Sequence, residues 1–264
     1  MFVDRVMKER SQLELKRAEA HYWDQRALGR TKGGRIPLEA DLRRATRVVP
    51  SVPEEEPVDP LMNEIANGKY RRRFLRWAAL RSRGRVLDIG CGPGWLALEL
   101  GRSGLTVDAY DLSSKAIAFA ERMREENPYS EGFGEVNYVV GDVTTVDLGH
   151  EKYDAVTAWS ALHHLPNLPE FLDQLYHAVK PGGHVVLMDD YPQDRQSRVL
   201  QRLLSLILPT YGRDYCDKFT QVMDRFVRRH GKVELSSSPM EGLSTVEIDP
   251  LIGRRFSIVD SIHF

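Results

Sequence analysis

The stretch that decides the fold is VLDIGCGPG, Val86–Gly94, in a chain of 264 residues. It joins the end of a predicted strand, Arg85–Ile89, to glycines at positions 90, 92 and 94. Glycine permits tight turns and lets the backbone approach a ligand closely. A glycine-rich loop alone fits a ligand site and a plain strand-to-helix turn equally well, so the loop has to be interpreted with the segments around it.

From this loop onward, short β-rich runs alternate with helical stretches. The predicted segments are, in chain order, strand Arg85–Ile89, helix Gly94–Arg102, strand Thr106–Tyr110, helix Ser113–Glu126, strand Asn137–Val140, strand Asp154–Ala158, helix Pro169–Val179 and strand His184–Met188. This alternation predicts an α/β fold, a Rossmann-like, doubly wound and mostly parallel sheet with helices on both faces. Ligands of such sheets bind at the carboxyl ends of the strands.

The chain before the loop has a different character. Asp4–Arg26 predicts a charged helix and Leu61–Leu80 a basic amphipathic one. Between them, Val49–Pro60 holds four prolines and four acidic residues, as is typical of an extended linker. We therefore expect a helical extension with a linker over residues 1–60 and one main domain over residues 61–264.

Composition excludes several classes of protein. The chain is 42% hydrophobic and 28% charged with a net charge of −1, which is typical of a core-forming domain and not of a disordered chain. Balanced charge disfavours a nucleic-acid binder, and no apolar run approaches the roughly 18 residues of a membrane span. Two cysteines are too few for a disulfide framework or a zinc cage, so we expect a cytoplasmic protein.

Three acidic residues lie at the ends of three predicted strands, in register. The spacing of the glycines is Gly-x-Gly-x-Gly, and Pro93 lacks a backbone N–H, so the loop is not expected to bind a pyrophosphate. Asp88 instead favours a ligand that is cationic near the loop. Asp111 is placed for two ribose hydroxyls, and Asp142 for an exocyclic amine such as that of adenine. Each alone is also explained as a solvated turn residue. Cation, ribose and adenine together describe S-adenosylmethionine.

The sequence also resembles a known family over about Leu61–Asp190. The motifs that carry the likeness are VLDIGCGPG, YDLS (residues 110–113), GDV (141–143), AWSALHHLPN (158–167) and VKPGGHVVLMDD (179–190). In this order and spacing they resemble class I S-adenosylmethionine-dependent methyltransferases. The resemblance implies a mostly parallel sheet of seven strands, S-adenosylmethionine as cofactor and S-adenosylhomocysteine as product.

The resemblance also implies a set of cofactor-binding residues. It includes a HYWD motif (residues 21–24) that is expected to close over the cofactor as a lid, although a helix packed on the core explains these residues equally well. The expected residues are Tyr22, Trp23, Asp88, Gly90, Cys91, Gly92, Asp111, Leu112, Asp142, Val143 and Trp159. Aromatic faces suit a sulfonium through cation–π attraction. Arg71 or Arg73 is a candidate for the cofactor carboxylate, with a solvated helix face as the alternative.

Candidate bases come after the fourth and fifth predicted strands. In the small-molecule members that the chain resembles, a His of the LHH segment and an Asp after the fifth strand act as a pair. We expect His164 as the base, oriented by Asp190, or Asp190 as the base itself, with His163 as a further candidate. Packing of one histidine against the backbone is the alternative.

The residues after the fourth strand narrow the class of acceptor. Enzymes of this fold that methylate the amines of nucleic-acid bases carry an Asn/Asp-Pro-Pro-aromatic motif, and this chain has WSAL (residues 159–162) in that place. Asp189 and Asp190 alone are too few oxygen ligands to bind a metal ion. We expect a small-molecule acceptor, methylated at oxygen, with no metal, no nucleic acid and no membrane span. The alternatives are methylation at nitrogen or carbon, a glycan- or lipid-linked acceptor, and a non-catalytic cofactor-binding module of a larger assembly.

The likeness weakens after Asp190. A helical insertion over about 192–232 is expected to roof the acceptor pocket, and a sixth strand is predicted over 254–263. No residues remain for a seventh strand. We therefore expect that strand to come from the rest of a longer polypeptide or from a second subunit.

Overall fold

The structure is a computed structural model that describes residues 2–30, 69–81, 83–127, 131–189 and 245–260. The linker 49–60, the insertion 192–232 and Asp190 lie outside the described residues, so the predictions made for them stay predictions.

Five strands form one parallel sheet in the order β3-β2-β1-β4-β5. They are β1 (Arg85–Ile89), β2 (Thr106–Asp111), β3 (Glu135–Val140), β4 (Tyr153–Trp159) and β5 (Val179–Met188). The predicted doubly wound parallel sheet is thereby confirmed. The chain moves outward from β1 to β3 and then returns to β4 on the other side of β1. The strand order reverses between β1 and β4, where such sheets open a crevice for ligands.

Helices cover both faces of this sheet, and its central strands β1 and β4 are buried along almost their whole length. Leu87 of β1 and Val156 of β4 are fully buried. Helices α2 (Lys69–Ala78), α3 (Trp95–Arg102) and α4 (Ser114–Glu125) share one buried cluster, and α5 (Leu168–Ala178) and α6 (Thr245–Gly253) share the other. Burial on both faces explains why β1 and β4 lack the alternation of buried and exposed residues that a half-exposed strand shows.

The longest described helix is α1 (Phe2–Arg30), in the place of the predicted N-terminal helix. It is a mainly polar helix, yet it packs on the sheet domain next to α4. The Ser113 hydroxyl and the Lys115 backbone N–H donate to Asp24 Oδ1 at 2.7 and 3.0 Å. Asp24 therefore anchors α1 at the N-terminus of α4.

The predicted sixth strand is wrong over its described part. Residues 254–260 form a turn and a segment outside any described strand, and 261–264 lie outside the described residues. Arg255 instead forms an ion pair with Asp173 of α5, its Nη2 donating to Oδ2 at 2.8 Å. Phe256 packs at 5.8 Å from the Tyr176 ring, also on α5. Through these contacts the segment 254–260 packs on helix α5 and does not join the sheet.

In the part of the chain that the structure describes, no helix has both the length and the apolar character needed to cross a membrane.

Candidate functional site

The glycine loop after β1 combines two closely packed glycines with one open position. All three glycines have positive φ angles, from 51° to 83°. A Cβ atom on Gly90 would lie 2.6 Å from the Ala161 Cβ, and one on Gly94 would lie 2.5 Å from the Tyr138 hydroxyl oxygen. A Cβ on Gly92 would meet nothing within 4 Å. The loop is therefore held on two sides and leaves a cradle at Gly92.

Asp88, at the carboxyl end of β1, is a buried carboxyl group that is only half satisfied. It is 1% exposed, and the Thr157 hydroxyl donates to its Oδ1 at 2.8 Å. Its Oδ2 has no hydrogen-bond partner among the described residues. Burial raises the pKa of Asp88 to about 7, against the lowering effect of the Thr157 hydrogen bond. A cation or donor arriving at the loop would stabilise the ionised form.

Cys91, in the same loop, is buried near the carboxyl groups of Asp88 and Asp111. Burial, together with the charges of Asp111 and Asp88, raises the pKa of the Cys91 thiol well above its ordinary value. The thiol is therefore protonated at neutral pH and is no nucleophile. Its contribution is to pack the loop against the core.

Asp111 at the end of β2 is held rigidly by backbone donors. The N–H of Gly92 donates to Oδ2 and that of Ser113 to Oδ1, both at 2.8 Å. Burial raises the pKa of Asp111 despite these hydrogen bonds. Each oxygen keeps a second lone pair, so the oriented carboxylate can accept two hydroxyl groups. The next residue, Leu112, is half-buried.

Asp142 after β3 is already engaged by the N-terminal helix. Lys16 of α1 forms an ion pair with its Oδ2, and the Thr144 backbone N–H and hydroxyl donate to Oδ1 at 2.9 and 2.6 Å. Burial opposes ionisation, but the Lys16 and Thr144 hydrogen bonds outweigh it and hold the pKa of Asp142 below its ordinary value. The side chain of the neighbouring Val143 packs in the core.

Two histidines sit in a 3-10 turn, Leu162–His164, that comes after β4. His163 Nδ1 pairs with Asp189 Oδ1 at the end of β5, and the His163 backbone N–H donates to Oδ2 at 3.2 Å. This pair has the predicted 26-residue offset, one position earlier than His164 and Asp190. The structure therefore gives His163 its own carboxylate, a pairing that sequence reasoning did not assign.

His164 faces the N-terminal helix. Its Nδ1 lies 3.4 Å from Oε1 of Glu19, a residue of α1 that is only 1% exposed. The Trp23 indole N–H donates to the same Glu19 oxygen at 2.6 Å, and the Trp23 and His164 rings meet edge to face at 5.5 Å. Sequence reasoning missed Glu19. The only available signal was helical spacing, which puts residues 16, 19 and 23 on one side of α1.

The aromatic and basic candidates lie around the same edge of the sheet. Tyr22 and Trp23 meet edge to face at 5.2 Å, with the Arg26 guanidinium over both rings. Trp159, at the end of β4, lies between Phe74 and Trp95. Of the two candidate arginines, Arg71 is buried, whereas Arg73 forms an ion pair with Asp260.

The arrangement brings together most of the predicted residues at one edge of the sheet. The ends of β1, β2 and β3 each present a carboxyl group, and the ends of β4 and β5 present the histidines and Asp189. Among the described residues, no group of three or more His, Cys, Asp or Glu side chains is placed to hold a metal ion. The edge suits a ligand with a cationic group and several hydroxyl or amine donors, beside a histidine able to take a proton.

Comparison with known proteins adds to this geometry. Residues 62–229 match a protein family described as a methyltransferase domain. The mitochondrial ubiquinone biosynthesis O-methyltransferase of Schizosaccharomyces pombe is 31% identical over 144 residues, which are 54% of this chain and 50% of that protein. The 2-phytyl-1,4-naphtoquinone methyltransferase of Nostoc punctiforme is 29% identical over 57% of this chain and 68% of its own length.

Among solved structures, the YcgJ protein of Bacillus subtilis is similar in fold, with a TM-score of 0.50 and 18% identity. The likeness covers 71% of this chain and 68% of that one. The chain spans about half the length of the S. pombe relative that it matches.

Proposed function

The chain belongs to the methyltransferase domain family, and on that premise we propose that it transfers a methyl group from S-adenosylmethionine to an oxygen of a small molecule. The observation that carries the proposal is the placement of His164 at the end of β4, on the sheet edge that also holds Asp88 and Asp111. The names of the S. pombe and N. punctiforme relatives, a ubiquinone biosynthesis O-methyltransferase and a naphthoquinone methyltransferase, support a small-molecule acceptor.

The residues at this edge fit S-adenosylmethionine. Gly92 provides an open cradle, and the buried Asp88 Oδ2 has an unfilled acceptor site among the described residues. We propose that these two positions receive the cationic amino-acid part of the cofactor, that Asp111 and Leu112 hold the ribose, and that Asp142 and Val143 hold the adenine. When bound, the cofactor supplies an electrophilic methyl group on a sulfonium. Gly90, Cys91 and Trp159 shape the walls of this site, and Tyr22 with Trp23 covers it.

The protein's own chemical task is to align the acceptor and to remove a proton from it. We propose His164 as the base. Its Nδ1 side is turned to a carboxylate, which favours the tautomer with hydrogen on Nδ1 and leaves Nε2 as the basic nitrogen. His163, bound by Asp189 through both ring and backbone, holds the turn in place. Asp190, the orienting group expected from the sequence, lies outside the described residues and remains an alternative.

The test uses S-adenosylmethionine labelled in its methyl group, incubated with the full chain and metabolite extracts. We expect a labelled product whose rate of formation falls about 100-fold or more in His164→Ala, the usual contribution of a general base. S-adenosylhomocysteine binding, measured by calorimetry, should change little. His177→Ala removes an exposed histidine of α5 and serves as the matched control.

Two results would contradict the proposal. A chain that binds S-adenosylhomocysteine but labels nothing in any extract would be a binding module. If His164→Ala transfers methyl groups at the rate of the parent chain, His164 is not the general base.

A further inference from the structure

We propose that Glu19 of the N-terminal helix is the positioning residue for His164, orienting its imidazole and stabilising its protonated form. The helix α1 would then take part in the acid–base chemistry in addition to covering the cofactor. The inference rests on the proposed function only for the role of His164 as base. The coupling between Glu19 and His164 can be measured without any acceptor.

The burial of Glu19 is the first reason. A carboxylate that is 1% exposed is destabilising unless donors or a cation compensate for its lost hydration. The Trp23 N–H at 2.6 Å and the His164 ring at 3.4 Å are on the same Oε1 atom. A protonated His164 would supply the positive charge that this buried site favours.

The second reason is that α1 is held on both sides of Glu19. Lys16, one turn before it, pairs with Asp142 after β3. Asp24, just over one turn after it, accepts hydrogen bonds from Ser113 and Lys115 at the start of α4. Two anchors that flank one buried carboxylate fix its position, so the approach of Glu19 to His164 is a property of the docked helix.

The surroundings of the imidazole support a specific effect of Glu19. Among the described residues, further titratable neighbours include His163, whose ring centre is 4.0 Å from that of His164, and Asp189, which binds His163. On α1 the nearby cations Lys16 and Arg26 are engaged with Asp142 and with the Tyr22 and Trp23 rings. Asp111 and Asp24 are further carboxylates facing this region. Glu19 is the carboxylate that the structure places at the Nδ1 atom.

The proton balance of the step is simple. The acceptor hydroxyl loses its proton to Nε2 of His164, so an O–H bond breaks and an N–H bond forms. The resulting imidazolium keeps its Nδ1–H directed at Glu19 and later releases the Nε2 proton to water. Glu19 takes no proton in this step, and its role is to stabilise the imidazolium by its charge.

The test tracks the His164 ring by NMR as the pH is varied, in the full chain without acceptor. Glu19→Gln removes the charge but keeps a carbonyl oxygen to accept from Trp23. We expect the titration midpoint of His164 to move about one pH unit or more toward lower pH, the effect of losing an opposite charge at this distance. Glu19→Asp keeps the charge and should move the midpoint less. Glu14→Gln removes an exposed carboxylate of the same helix and should leave it unchanged.

A His164 midpoint that is the same in Glu19→Gln and in the parent chain overturns the inference. Unchanged S-adenosylhomocysteine affinity in Glu19→Gln shows that α1 is still docked. If that variant fails to fold, the His164 midpoint is compared between Glu19→Asp and Glu14→Gln, and equal midpoints in these two variants overturn the inference. This outcome is independent of the labelling experiment. If no methyl group is transferred in the labelling experiment, the proposed function is wrong. If the titration midpoint of His164 does not move in Glu19→Gln, only the proposed role of Glu19 is wrong.

Discussion

At the scale of single residues, burial of Asp88 destabilises the folded state at high pH, whereas the proposed function uses the charge of this residue to bind a cation. Its pKa of about 7, raised by burial from an ordinary value of 3.8, means that the folded state holds a proton that the unfolded state releases near pH 4. Stability contributed at this site therefore falls as the pH rises from about 4 to 7, and the full penalty is present above pH 7. In the proposed function, a cation bound at the loop would offset this penalty by pairing with the Asp88 carboxylate.

Replacing Asp88 with Asn should therefore stabilise the ligand-free protein at high pH. We expect the free energy of unfolding at pH 8 to rise by on the order of 2 kcal/mol, with little change near pH 4, because the variant removes a buried charge. Affinity for S-adenosylhomocysteine should fall. Denaturant unfolding at both pH values and calorimetric binding measure these effects.

Asp108, in the middle of β2, provides the control for this prediction. Burial opposes its ionisation, but Arg85 and Lys152 outweigh that effect and hold the pKa of Asp108 below its ordinary value. Asp108→Asn should therefore destabilise the protein at pH 8. If both variants changed stability in the same direction at pH 8, the burial argument for Asp88 would be wrong.

At the scale of elements, the glycines Gly92 and Gly94 of the loop between β1 and α3 have different surroundings. Gly94 has φ 83°, and a Cβ there would lie 2.5 Å from the Tyr138 hydroxyl oxygen and 2.6 Å from the Ala120 Cβ. Gly92 has φ 51° and open space around the Cβ position. These surroundings predict different effects of substitution at the two glycines.

Alanine substitutions should reveal this difference. Gly94→Ala combines left-handed strain with a clash and should cost about 3 kcal/mol of unfolding free energy. Gly92→Ala should cost only about 1 kcal/mol from strain, yet it should weaken S-adenosylhomocysteine binding because the new methyl group enters the cradle. Unfolding curves and calorimetry on both variants provide the measurement. Parent-like binding by Gly92→Ala would show that the cradle does not face the ligand.

At the scale of the whole molecule, α1 and the sheet edge form one unit. The helix touches residues after β2, β3 and β4 through Asp24, Lys16 and Glu19. A ligand seated on the same edge would be covered by this helix. Binding and helix docking should therefore stabilise each other.

Hydrogen exchange can measure this coupling. We expect S-adenosylhomocysteine to slow amide exchange across residues 12–28 of α1 by about tenfold or more, the equivalent of roughly 1.4 kcal/mol of coupling. Helix α5, on the other face of the sheet, should show a smaller change. Asp24→Ala should speed exchange in α1 of the ligand-free protein. If the amides of α1 exchange at the same rate with and without ligand, ligand binding and docking of α1 are not coupled.

Much of the fold is predictable because it is encoded in neighbouring residues. The strands β1 and β2 begin at the predicted residues, Arg85 and Thr106, and the Ser113 side chain caps α4 by accepting a hydrogen bond from the Ala116 N–H. The acids at the ends of β1, β2 and β3 share one edge because parallel strands end on the same side. The local pattern gave a wrong prediction at 254–260, where a segment with β-branched residues packs against α5 through Arg255 and Phe256.

The sequence by itself determined the parallel sheet, the glycine loop and the acids at the strand ends, since apolar periodicity and glycine positions act over a few residues. Only the tertiary structure decided which carboxylate meets which histidine. Asp189 and Glu19 are chemically ordinary acids until the docking of β5 and α1 brings them to His163 and His164. Lys16 and Asp142 likewise meet across 126 residues. Such pairings depend on how whole elements pack, and no local pattern of residues carries that information.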